Sequence, residues 1–87
     1  MTISSEHITL SLDLSGLKCP LPVLKARRAI KDMSAGEVLK VVATDPAAQL
    51  DFPHFCETAG HELISITSSD SQHEDNYSLE ILIRVAE

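Results

Sequence analysis

Residues 7–33, HITLSLDLSGLKCPLPVLKARRAIKDM, contain the change of hydrophobic period that decides the fold. Up to Leu14 the apolar residues alternate. Ile8, Leu10, Leu12 and Leu14 fall on one face and Thr9, Ser11 and Asp13 on the other, the pattern of a half-buried strand. From Pro20 to Met33 the period becomes helical. Val23, Ala26, Ile30 and Met33 form one stripe, while Lys25, Arg28 and Asp32 point away. A strand that turns directly into an amphipathic helix is the first half of a crossover unit. The helix is predicted to end at Ser34-Ala35-Gly36.

The same reading continues along the chain. EVLKVVAT (37–44) is a predicted second strand, followed by DPAAQLDFPHFCETAG (45–60). Pro46 and Pro53 argue against one continuous helix there. Asp51 suits an N-cap, Pro53 a first turn and Gly60 an end, with Phe52, Phe55, Cys56 and Ala59 on one face. ELISIT (62–67) is a third strand, and YSLEILIRVA (77–86) is a fourth with Leu79, Ile81, Ile83 and Val85 on one side. The polar stretch SSDSQHEDN (68–76) between them reads as a flexible turn. The predicted order is β-α-β-α-β-β, an α/β (α+β) two-layer sandwich in which a mixed four-stranded sheet carries two helices on one face.

Composition bounds the setting. Eighty-seven residues suffice for one domain with a single core, 1–87, of which 1–6 are expected to be flexible. Two cysteines, Cys19 and Cys56, are too few for a disulfide scaffold. The start MTISSEHITL lacks the basic and apolar segments of a signal peptide, and no apolar run is long enough to cross a bilayer. The expected location is therefore the cytoplasm, with both cysteines as thiols and no membrane partner. A net charge of -6 argues against direct binding of nucleic acid. The charge is uneven, however. Lys18, Lys25, Arg27, Arg28 and Lys31 give residues 18–31 a charge of +5, and the rest of the chain carries -11, which together make the -6. This window is either a solvated helix face or a docking patch for an acidic partner.

Cys19 lies where the strand gives way to the helix. Free N–H groups and the positive end of a helix macrodipole stabilise a thiolate, and Lys18 and Lys25 add positive charge, so Cys19 is predicted to be a reactive thiolate and the catalytic residue. The alternative is a buried structural cysteine. Pro20 and Pro22 have fixed φ and no N–H, and hold the backbone around the sulfur without competing for hydrogen bonds. Pro22 also occupies the place where a redox pair has its second, resolving thiol. Without that thiol a sulfur placed on Cys19 persists until an outside acceptor collects it, which suits a carrier better than a disulfide reductase or a thiol peroxidase. His54, Cys56 and His61 do not make a metal site in this reading, because i and i+2 diverge on a helix and His61 follows Gly60. Cys56 is expected in the core; Asp13 and Asp45 could each be near Cys19 at the ends of their strands, but cap and turn roles explain both more simply.

LDLSGLKCPLPVLKARRAI, GEVLKVVATDPAA, DFPHFC and GHEL, in that order, resemble the TusA-type (SirA-like) sulfur-carrier family, whose hallmark is C-P-x-P at the start of the first helix. The resemblance runs from about residue 10 to 67 and returns at ILIR. It implies the same sandwich fold and a persulfide carried on Cys19, received from a cysteine desulfurase or rhodanese-type donor. The sulfur then passes to a downstream relay protein serving tRNA thiolation, molybdenum-cofactor assembly or sulfur oxidation. Matching positions are Cys19, Pro20 and Pro22, with Gly16 as the turn glycine before them and Asp45-Pro46 opening the second helical region. Leu21 stands where some members have Glu, and SSDSQHEDN and RVAE differ from members with a shorter, more basic tail. No metal and no bound cofactor are implied beyond the transient persulfide sulfur. The alternative function is a non-catalytic regulatory module that docks a partner through the basic first helix.

Overall fold

The structure, a computed structural model, describes residues 7–69 and 78–86. The first six residues and most of the expected polar turn lie outside the described residues. The elements are β1 (Ile8–Leu14), α1 (Leu21–Ile30), β2 (Val38–Ala43), α2 (Ala48–Ala59), β3 (Glu62–Ser69) and β4 (Ser78–Arg84). They form one mixed sheet of order β1-β2-β4-β3. β1 pairs parallel with β2, and β4 pairs antiparallel with both β2 and β3. Chain order thus places two crossover units side by side, with the last strand inserted between β2 and β3. Both helices pack on one face, and the two-layer architecture is as predicted.

The core is apolar throughout. Leu39, Val41 and Ala43 from β2 and Leu79, Ile81 and Ile83 from β4 meet Ala26 and Ile30 of α1 and Ala48, Phe52, Phe55 and Cys56 of α2. The core lies under the two middle strands, because these have neighbours on both sides and helices above. The opposite face carries charge pairs, Lys40 with Glu80 at 3.1 Å and Arg84 with Glu62 at 2.9 Å.

The elements depart from the sequence reading in four places. α1 is shorter than Pro20–Met33, and Met33 packs against the core from a turn after it. Ile8 and Leu10, expected on one buried face, stand 39% and 37% exposed on an edge strand whose register with β2 shifts between them, Ile8 pairing with Val38 and Leu10 with Leu39. Ala59, expected on the core face of α2, is exposed at the last turn. Finally, α2 is continuous from Ala48, with Pro53 inside it, Ala47 at its N-cap and Asp51 in its first turn. A proline in that position cannot donate to the Gln49 carbonyl, but Gln49 is exposed and water can satisfy the oxygen. Packing of Phe52, Phe55 and Cys56 on the sheet outweighs the lost bond. At its other end α2 stops as predicted at Gly60, whose φ of 86° is the left-handed conformation that favours glycine.

Candidate functional site

Cys19 sits in the loop between β1 and α1, exposed, at the edge where both helices begin. Three backbone contacts fix that loop. Gly16 takes a φ of 84°, which lets the chain leave β1 sharply, and its N–H donates to Thr44 Oγ1 at 2.8 Å. The Leu21 N–H donates to the Lys18 carbonyl at 2.8 Å. The Cys19 N–H donates to Asp45 Oδ2 at 2.6 Å, while Asp45 Oδ1 accepts from the Ala47 N–H at 3.1 Å. Asp45 therefore has the turn role expected of it and a second one, tying the cysteine backbone to the start of α2. Asp13 has only the turn role, accepting from the Ser15 backbone and hydroxyl.

The sulfur opens onto a groove of about 280 Å³ between the helices. Cys19, Pro20, Val23 and Arg27 form its α1 side, and Asp51, His54, Phe55 and Thr58 its α2 side. Pro22, the second helical residue, is buried beneath the first turn of α1. Arg27 also lines a broader hollow of about 440 Å³ with Leu24, Arg28 and Lys31. Of the five basic residues picked out in the sequence, Arg27 thus lines the groove with the thiol, and Arg28 and Lys31 continue from it along α1. Lys18 lies on the other side of Cys19, sharing a hollow with Gly16 and Asp45, and Lys25 is exposed on α1 without joining either group.

The expected thiolate is not what the surroundings favour. The Cys19 pKa is raised above its ordinary value, first by the Asp51 carboxylate on the facing wall of the groove, then by partial desolvation and by the negative charges of Asp51 and Asp45. The helix start offers little against them. Pro20 and Pro22 have no N–H, the Leu21 N–H is already bonded to Lys18, and the Cys19 N–H is taken by Asp45. The prolines that hold the loop thus remove the donors that would stabilise an anion. At rest Cys19 is a thiol. Cys56 is buried, as expected, and burial pushes its pKa to about 11. His61 Nδ1 accepts from the Ala86 N–H at 2.9 Å, and its ring packs 5.6 Å from Phe55. That structural role takes it away from His54, which faces the groove.

Asp45 is held below its ordinary pKa of 3.8, first by the Cys19 N–H, then by the Ala47 N–H, with Lys18 adding to both. A depressed carboxylate stabilises the fold above the ordinary value, and that contribution is lost as pH falls through the folded one. The amide resonance of Cys19 should follow this titration with a midpoint below 3.8, and Asp45→Ala should abolish the step and slow any reaction that needs the loop in register. A midpoint at or above 3.8 contradicts the bond.

The helix edge of this sandwich thus presents a single exposed thiol with no second cysteine beside it. The chain belongs to the family described as sulfurtransferase TusA, whose profile matches residues 10–84. It is 51% identical over 53 residues to a sulfur carrier protein TusA of Allochromatium vinosum, covering 61% of this chain and 70% of that one. It is 48% identical over 54 residues to a sulfur carrier protein TusA of Pseudomonas entomophila, covering 62% and 68%. The fold is similar to the crystal structure of a SirA-like protein from Desulfitobacterium hafniense, with a TM-score of 0.70 and 24% identity over 91% of this chain and all of that one.

Proposed function

We propose that this protein is a sulfur carrier that holds sulfane sulfur as a persulfide on Cys19 and hands it to a second protein. The observation that carries the reading is the contrast between the two thiols: Cys19 is exposed at the mouth of a groove and Cys56 is sealed in the core. No cysteine stands beside Cys19 to expel the sulfur as an internal disulfide closes, so an outside thiol is needed to collect it. The chemistry requires no metal or bound cofactor. Among the described residues no helix is long and apolar enough to cross a membrane, and the reducing setting that a persulfide relay needs is that of the cytoplasm.

The donor reads as a cysteine desulfurase or rhodanese-type enzyme, and the acceptor as a downstream relay protein. Each must bring its own sulfur to Cys19, so the surface around the thiol is part of the interface. Arg27 supplies positive charge in the groove and Lys18 on the other side of Cys19, with Arg28, Lys31 and Lys25 further along α1, which suits acidic partners.

The test begins with a cysteine desulfurase and radiolabelled cysteine. Label should remain on this protein after the donor is removed and leave when a thiol acceptor is added. A protein that binds the donor but takes no label is a regulatory module. A chain with Arg27→Glu and Arg28→Glu should load about 10-fold or more slowly at low salt, with the deficit shrinking as salt screens the attraction. Both side chains are exposed, so the fold should survive. Equal loading at every ionic strength would return the basic window to a solvated helix face.

A further inference from the structure

Asp51 lies in the first turn of α2, where its charge suits the helix dipole, but it makes no capping bond. The helix is capped at Ala47 with no side-chain bond, so the capping role expected of Asp51 is not its role. Its carboxylate instead lines the groove with Cys19, on the opposite wall, and raises the pKa of that thiol. The charged and titratable groups around that sulfur are Lys18 in its own loop, Arg27 on α1, Asp45 at the end of β2, and Asp51 and His54 on α2. Asp45 already accepts from two backbone N–H groups. Asp51 is the carboxylate that shares the groove with the sulfur.

We infer that Asp51 is the proton acceptor of sulfur transfer, a residue that faces Cys19 across the groove and takes the thiol proton when a donor persulfide arrives. The inference rests on the carrier reading. In the step, the Sγ proton moves to the Asp51 carboxylate and the Cys19 sulfur attacks the terminal sulfur of the donor's persulfide. The donor's S–S bond breaks and a new one forms to Cys19. The electron pair leaves on the donor's cysteine sulfur, which recovers the proton from Asp51. One persulfide and one thiol become one thiol and one persulfide, and no oxidant or reductant is consumed. The nearby carboxylate has a second effect, since a thiol is far less nucleophilic than a thiolate and the unloaded carrier is spared indiscriminate alkylation.

Asp51→Asn should therefore change two rates in opposite directions. Alkylation of Cys19 by iodoacetamide should become faster at neutral pH, with its pH midpoint moved down, because the carboxylate that favours the thiol is gone. Single-turnover loading from a desulfurase should slow by about 100-fold, the lower range for loss of a positioned proton acceptor. Asp51→Glu, which keeps the carboxylate, should recover part of both. If alkylation and loading slow together, Asp51 only shapes the groove. An unchanged alkylation midpoint, or unchanged loading, would also overturn the inference. Failure of the carrier reading would look different: the wild-type chain would not load, whatever the alkylation profile of the Asp51 variants.

Discussion

A chain with Cys19→Ser is expected to take up no sulfur from a desulfurase, while Cys56→Ser chains that remain folded load as the wild type does. The serine hydroxyl keeps the size and the backbone bond to Asp45 but does not form a persulfide, so the loss should be complete. Cys56 cannot substitute. It is 2% exposed among Phe52, Phe55 and the sheet, and its pKa of about 11 leaves almost no thiolate at neutral pH. Exposure decides between the two thiols more than pKa does, since Asp51 and Asp45 raise the Cys19 pKa as well. Labelled sulfur counted on each purified variant checks this. Label retained by Cys19→Ser would move the site elsewhere.

The second large effect is on the fold that presents the site. Phe52 is fully buried, the largest such side chain in the core, on the stretch of α2 that also carries Asp51 and Phe55. Phe52→Ala should cost about 3–5 kcal/mol from lost burial and the cavity left behind. A domain of this size has roughly 4–13 kcal/mol in all. A measurable unfolded fraction without denaturant and a much lower urea midpoint are expected. A loss under about 1 kcal/mol would mean that the helices pack on the sheet differently. With α2 displaced, the groove wall opposite Cys19 goes too, so loading should fall in step with the folded fraction.

The fold was legible in the sequence because periods of two and of 3.6 residues are local. HITLSLDL, EVLKVVAT and YSLEILIRVA each announce a strand, and the stripe through Ala26 and Ile30 announces α1. What local pattern does not encode is which strand ends up at an edge. The alternation of Ile8 and Leu10 is the same whether a helix covers them or not. Pro53 misled for a related reason, since its cost to the helix is local and the packing of Phe52 and Phe55 that outweighs it is tertiary. At the site, Cys19, Pro20, Pro22 and the basic residues of α1 could be picked out from one short stretch. The carboxylates that set the state of the thiol could not. Asp51 read as a cap, and Asp45 as a turn residue that could lie near Cys19; the fold brings both to Cys19 and raises the pKa of a thiol expected to be a thiolate. A faint signal existed in Asp45, placed at the end of a strand parallel to the one that leads to Cys19.

The central claim is that the sulfur rides on Cys19 as a persulfide. The most direct measurement is the mass of the wild-type chain after loading by a desulfurase and cysteine, followed by alkylation, digestion and fragmentation of its peptides. The account predicts one additional sulfur atom, located between the Cys19 Sγ and the alkyl group, and an unmodified Cys56 peptide. Additional sulfur on the Cys56 peptide, or none on the chain beside a turning-over donor, would contradict it.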